Sequence, residues 1–365
     1  MNRHLYRIVF NKKRGLLMAV AECATGDGKS AGTGERSSER ASPASTLCAT
    51  LRGVAFGLFL ALGMAVLAPS ASAQIVAYKA APASQRPTVL SAGNGVPLVN
   101  IQTPSAAGVS RNTYEQFDVP SQGAILNNSR NNAQTQLGGW VQGNPWLAAG
   151  TARVILNEVV AANPSQLLGH VEIAGSKAEV VIANPAGVTC NGCGFINASR
   201  ATLTTGTPVV NGGNLDGYRV TDGTLRIEGA GMNATGADAT ALIARAVEIN
   251  AGLWANDLKI TTGANAVDAD NQQATPIPPA TGSPTPALAI DVARLGGMYA
   301  GKIVLVGTET GVGVRNAGHL GASAGEVRIS VDGKLINTGE IVATGNFAIA
   351  ATNLENRNLI DRRDG

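Results

Sequence analysis

Cys190 and Cys193, separated only by Asn191-Gly192, are the side chains of this 365-residue chain most plainly equipped for chemistry. Two thiols at that spacing suit a zinc site, thiol–disulfide exchange or a local disulfide. A structural zinc site needs a second ligand pair, and His170 and His319 both lie far from the thiols in sequence. Exchange chemistry needs a thioredoxin-like βαβ frame, which no part of the chain suggests. Which of the three holds depends on the compartment the chain reaches.

The other chemistry-bearing residues are sparse. His170 adjoins an apolar strand and His319 sits in a repeat corner, so neither belongs to a Ser-His-acid arrangement, and both read as solvent-facing or structural. There is no Walker-type loop, no His-Glu-x-x-His and no Gly-rich phosphate fingerprint in a βαβ frame. Asn211-Gly212-Gly213 and Gly229-Ala230-Gly231 read as turns, and so do Asn197 and Asn233, the first residues of two Asn-x-Ser/Thr triplets. Asp268 and Asp270 lack the further oxygen ligands that calcium requires. No catalytic, cofactor-binding or metal-ligating residue is assigned, and the chain is not expected to be an enzyme.

The elements around these residues are strands. Short β-branched runs recur at Arg153 to Glu158, Val171 to Ile173, Glu179 to Ala183, Arg226 to Glu228, Leu258 to Thr261, Lys302 to Gly307 and Glu326 to Val331. Gly, Asn, Asp or Pro bounds most of them, and no long segment carries a helical apolar period. Towards the C-terminus a period appears. Val314-x-Asn316-x-Gly318-x-Leu320 is echoed by Leu335-x-Asn337-x-Gly339-x-Ile341 and by Leu354-x-Asn356-x-Asn358-x-Ile360. A repeat of about 20 residues with apolar positions two apart suits one coil of a parallel β-solenoid, its Asn and Gly serving the corners, whereas an up-and-down barrel could use short alternating strands but would not require this echo. The expected fold is all-β, a right-handed parallel β-helix with N-terminal capping strands and extra-helical loops. Gly263 to Pro286, rich in prolines that cannot donate to a ladder, is expected to leave the coil stack as a loop or excursion.

The first 73 residues form a leader. Arg3, Arg7, Lys12, Lys13 and Arg14 precede an apolar run from Val54 to Ala68, and Ala71 and Ala73 form an A-x-A site, so cleavage is expected between Ala73 and Gln74. The apolar run is shorter than the ~20 residues of a spanning helix. The leader holds nine of the 28 Lys and Arg and four of the 25 Asp and Glu, which leaves 19 basic and 21 acidic residues beyond it. The basic pI thus belongs to the leader, and neither nucleic acid nor an anionic membrane is implied as a partner. In an exported chain the favoured reading of Cys190 and Cys193 is a tight disulfide. Cys23 and Cys48 leave with the leader.

The opening MNRHLYRIVFNKKRGLLMAVAE resembles the extended signal peptides of very large Gram-negative exoproteins. The segments Gly95 to Ser129, Gln136 to Leu147 and Ile182 to Gly206 resemble the secretion domain of filamentous haemagglutinin-like exoproteins, over roughly Gln74 to Leu320. That family marks its secretion domain with Asn-Pro-Asn-Leu and Asn-Pro-Asn-Gly-Ile motifs. They stand here as Asn144-Pro145-Trp146-Leu147 and Asn184-Pro185-Ala186-Gly187-Val188, both departing at the third position. Each is a sound turn-former in its own right, so a folding role stands beside direct contact with a transporter. The cysteine pair resembles the version found in contact-dependent growth inhibition exoproteins, a subgroup of the same family.

The resemblance implies three segments: a Sec signal peptide at 1–73, a β-helical secretion domain at 74–320, and the first filamentous repeats at 321–365, a shaft that the stop at Gly365 would truncate. It implies a secreted or cell-surface exoprotein of a two-partner system, reaching the periplasm through the Sec translocon and crossing a cognate outer-membrane β-barrel transporter. Adhesion to a host or bacterial surface receptor is the family's common role, and the alternative is the N-terminal part of a growth-inhibition toxin. A β-helical polysaccharide lyase is the rival from another class. It would need clustered charged residues on neighbouring coils, whereas the acids here are mostly scattered singly.

Overall fold

The computed structural model describes residues 6–11, 16–21 and 74–362, so most of the leader, including Ala73, the apolar run and Cys23 and Cys48, lies outside the described residues. The chain divides into two compact units, Met1–Pro69 and Ser70–Gly365. In the first, Tyr6–Asn11 pairs antiparallel with Leu16–Ala21.

The second unit is built from three long sheets of ten, eight and eleven strands. The chain lays one strand on each in turn. Ala178–Ala183 goes to the ten-strand sheet, Val188–Cys190 to the eight-strand sheet and Cys193–Ile196 to the eleven-strand sheet, before Ala198–Thr204 begins the next coil. Strands within each sheet pair in parallel from coil to coil, which is a parallel β-helix, and among the described residues there is no α-helix. At ~4.8 Å per strand the ten-strand sheet is about 40 Å tall.

Period-two alternation explains the core. Ile182, Leu203, Leu242, Ile260, Leu305 and Ile329 follow one another in register up the ten-strand sheet and are all buried inside the coils. The periodic motifs also land in register on the other two sheets, buried as far as Leu335 and Ile341, with Leu354 in the last described coil 47% exposed. Val314, Leu335 and Leu354 are register partners, and so are Leu320, Ile341 and Ile360. Burying each such side chain is worth ~1.5–3 kcal/mol, and a narrow interior lets every coil bury several. Gly339 turns the corner between them, where a Cβ would run into the carbonyl oxygen of Gly318 in the coil before.

Antiparallel strands close the N-terminal end. Ile75–Ala77 lies against Val109–Phe117, and Thr88–Ser91 pairs with Pro97–Asn100, which in turn joins Ala124–Asn128 in parallel. Two excursions leave at the corner between the ten- and eight-strand sheets and meet outside it. Thr207–Asn211, Asn214–Val220, Asn265–Asp268 and Ala274–Pro276 form one antiparallel four-strand sheet. The segment from Gly263 to Pro286 therefore leaves the coil stack as an excursion, part of it strand. Pro276 is tolerated because it stands on the edge strand of that sheet. Leu215, Tyr218, Val220 and Val267 of this cover pack on Val154, Leu156, Val181 and Ile243, which point outward from the coils, giving a second apolar layer.

Candidate functional site

Asn144 and Asn184 occupy corners of the coil stack, and each makes a complete set of bonds. Asn144 follows the hairpin Ala133–Val141 at the corner between the eleven- and ten-strand sheets. Leu147 N–H donates to its carbonyl oxygen at 3.2 Å, and Trp146 N–H donates to its Oδ1 at 3.0 Å. Its Nδ2 donates to the carbonyl oxygens of Ile101 and Asn127, both at 2.9 Å. The motif thus closes a turn on itself and pins three chain segments together.

Asn184 repeats this arrangement at the corner between the ten- and eight-strand sheets. Gly187 N–H reaches its carbonyl oxygen at 3.0 Å and Ala186 N–H reaches its Oδ1 at 3.0 Å. Its Nδ2 donates to the Asn163 carbonyl oxygen at 2.9 Å and to Ser165 Oγ at 3.0 Å. Both asparagines are buried, and Pro145, Pro185 and Trp146 lie at the surface. The fourth positions differ for a steric reason. Leu147 drives its side chain into the core, whereas Gly187 takes a φ of 117° that disfavours any side chain. Trp146 is 44% exposed and its Nε1 donates to Thr88 Oγ1 at 3.2 Å, so it touches the capping strands without entering the core.

Cys190 and Cys193 sit one corner after Asn184, at the end of one strand and the start of the next. Their sulfurs are bonded across Asn191-Gly192 with the Cα atoms 5.3 Å apart, and both residues are buried. Asn191 Oδ1 accepts from Ala230 N–H at 2.9 Å, and Gly192 N–H donates to the Gly231 carbonyl oxygen at 2.8 Å, so this corner is locked to the coil above it. The motif's last residue, Val188, begins the strand that Cys190 ends. Gln74, on the far side of the expected cleavage, is exposed just before the first capping strand.

The remaining candidates are not gathered into a site. His170 lies over Gly194, where a Cβ would meet its ring. His319 stacks on Tyr299 with ring centroids 5.2 Å apart, and Tyr299 in turn stacks on Trp254 at 5.9 Å. Asp268 Oδ1 accepts from Gln272 and Gln273 N–H at 2.6 and 3.0 Å, and Asp270 pairs with Arg200 at 3.1 Å. Asn197, at φ 62°, donates to the carbonyl oxygens of Ile173 and Gly175, which is corner chemistry.

Two features escaped the sequence reading. Arg245 is 1% exposed, and its guanidinium forks onto Glu309 at 3.1 and 2.8 Å and donates to Ser283 Oγ at 2.6 Å. It thereby ties the second excursion to the coils, and the bonds to Glu309 raise its pKa further. The other is a set of buried asparagines at the N-terminal coils. Asn127 Nδ2 bridges to Asn100 Oδ1 and the Gln142 carbonyl oxygen, both at 2.8 Å, and Asn128 binds Ala152 and Ser176 backbone. Their signal in the sequence was asparagine directly after an apolar run, as in Leu126-Asn127-Asn128 and Leu156-Asn157.

Comparison with known proteins adds the following. The TPS secretion domain family matches residues 73–337, and the family described as the extended signal peptide of type V secretion systems matches residues 1–51. A protein named Toxin CdiA from Yersinia pestis is 54% identical over 365 residues, covering 99% of this chain and 11% of its own length. The tRNA nuclease CdiA-2 of Burkholderia pseudomallei strain 1026b is 45% identical over 345 residues, covering 93% of this chain and 11% of its own. The chain thus spans about a ninth of the length of these relatives. A crystal structure of a filamentous hemagglutinin secretion domain superposes with a TM-score of 0.63 at 34% identity, covering 79% of this chain and 99% of that one.

Proposed function

Since the chain belongs to the TPS secretion domain family and carries that system's extended signal peptide, we propose that its β-helix directs its own export by the two-partner (type Vb) route. The signal peptide takes the chain through the Sec translocon and is cleaved between Ala73 and Gln74. A cognate outer-membrane β-barrel transporter then passes the unfolded chain to the cell surface of a Gram-negative bacterium. Residues 74–320 serve as the secretion domain and 321–365 begin a shaft, although the coils themselves run across Leu320 in unbroken register.

The observation that carries this reading is the shared geometry of Asn144 and Asn184. Both side chains are buried with their bonding capacity used inside the fold, so a transporter meets them only in the unfolded chain. In the folded chain their task is to close corners early. Each closed corner lets the next coil bury apolar area outside the cell, which draws the chain outward. Deleting the transporter gene tests the reading: the protein should accumulate in the periplasm, and undiminished surface delivery would overturn it.

The exported protein acts on another cell surface, as an adhesin or as the leading part of a growth-inhibition toxin. The names and lengths of the relatives favour the second reading, since this region occupies only 11% of Toxin CdiA and of tRNA nuclease CdiA-2. Its check is a competition assay, in which cells carrying the gene with its downstream sequence should reduce the growth of neighbours that lack it.

A further inference from the structure

Where the four-strand cover stops, the outer face of the ten-strand sheet holds a cleft of about 280 Å³. Two outward columns of side chains frame it. In one, Glu179, Arg200 and Ala239 follow in register, with Asp257 and Lys302 beyond them. In the other, Ala241, Lys259, Val304 and Arg328 are register partners. The alanines leave the floor open between the charges.

The charges around this floor do not balance locally. Arg200 is paired with Asp270 at 3.1 Å, while Lys302 and Arg328 share one carboxylate, Glu326, at 3.1 and 3.2 Å. Lys259 has no carboxylate within ion-pair distance among the described residues. Burial holds its pKa below the ordinary value for lysine, against the pull of Asp268 and Asp257 and with the push of Lys302 and Arg328. A second donor is orphaned in the same wall. Asn271 is buried in a left-handed turn at φ 53°, its Oδ1 accepts from Thr261 Oγ1 at 2.8 Å, and its Nδ2 has no partner. A partly desolvated ammonium with no carboxylate of its own, in a wall whose Asn271 amide is also unsatisfied, calls for an oxyanion. Asp257, which makes no ion pair among the described residues, is an acceptor for hydroxyl groups beside it.

We propose that this cleft binds a hydroxylated anion of about one sugar unit, such as a sugar acid or a sugar phosphate, through Lys259, with Asp257 beside it for the hydroxyls. Its volume falls just below the roughly 300–1,000 Å³ of sites for larger organic ligands, which suits a single ring with its anionic group.

The test uses the exported protein and titrates glucuronate, glucose 6-phosphate, glucose and inorganic phosphate by calorimetry. Saturable binding of either sugar anion, and none of glucose, is expected, and which anion binds tighter identifies the oxyanion. Lys259→Met should weaken binding at least about tenfold without lowering the melting temperature, and Lys259→Arg should restore part of it. Ala239→Leu, which fills the floor and leaves every charge in place, should weaken it comparably. Absence of binding, binding that survives both Lys259→Met and Ala239→Leu, or phosphate alone binding as tightly as the sugar anions would each overturn the proposal.

Discussion

Asn144 and Asn184 use the same atoms for the same purposes: Oδ1 takes the N–H two residues on, the carbonyl oxygen takes the N–H three residues on, and Nδ2 reaches two acceptors on other segments. The two corners belong to different sheet junctions and have different fourth residues, so the equivalence comes from the Asn-Pro pair itself. Proline presets the turn and asparagine supplies the side-chain bonds.

Replacing either asparagine with alanine should destabilise the folded protein by about 2–4 kcal/mol, because buried acceptors lose their donor: the Ile101 and Asn127 carbonyls at the first corner and the Ser165 hydroxyl at the second. Urea denaturation of Asn144→Ala and Asn184→Ala measures this. Export should fall in step with stability if the motifs act through folding. A variant that is fully stable yet not exported would instead assign its motif to direct recognition.

Trp146 makes the opposite case. It is the residue by which the first motif departs from the family pattern, and it is 44% exposed with one polar contact from its ring. Trp146→Asn should change stability by no more than about 1 kcal/mol and leave export intact. A large loss of export at unchanged stability would make its ring a contact.

The disulfide at Cys190–Cys193 closes a loop of only four residues, and loop-closure entropy assigns such a loop about 2 kcal/mol at most. Cys190→Ala together with Cys193→Ala should therefore lower the denaturation midpoint modestly. Hydrogen exchange should quicken around Asn191 and Gly192 while the distant coils keep their protection.

Glu179 introduces a pH dependence. Burial raises its pKa, more than Arg200 at 3.9 Å and the bond from Thr202 Oγ1 at 3.3 Å lower it. An acid whose folded pKa is raised favours folding most while it is protonated. Its contribution is full below the unfolded carboxylate pKa and is lost as pH rises through the folded value. Glu179→Gln keeps the size of the side chain, leaves Arg200 its pairing with Asp270, and should flatten this segment of the pH–stability profile. An unchanged slope between pH 4 and 7, monitored by thermal melts, would contradict the assignment.

Much of the fold was open to sequence reading because a β-helix writes its geometry along the chain. Side chains two apart face one way, and coils of about 20 residues bring Val314, Leu335 and Leu354 into register. The excursions were less legible. Thr207–Asn211 is as β-branched as a coil strand, and only the pairing partners show that it covers the stack instead of joining it. Arg245 gave no signal at all. It lies between two alanines, and its partners Ser283 and Glu309 are 38 and 64 residues away, so nothing local marks it as buried. The Asn-Pro corners stood out as turns, but the saturation of both amides depends on acceptors such as Ile101 and Asn163, which folding alone brings near.

The asparagines at the repeat corner have a consequence for how such a molecule changes size. Asn316 Nδ2 donates to Asn337 Oδ1 at 2.8 Å, and Asn337 Nδ2 donates to Asn356 Oδ1 at 2.7 Å, so every link in this series has the same polarity. A turn duplicated whole within the series presents one oxygen downward and one amide upward, and it splices in without a new partner having to be found. A single inserted residue breaks both the amide series and the inward alternation. Length is therefore quantised, and genetic duplication of one repeat unit is the smallest step by which the rod can grow or shorten while remaining the same structure.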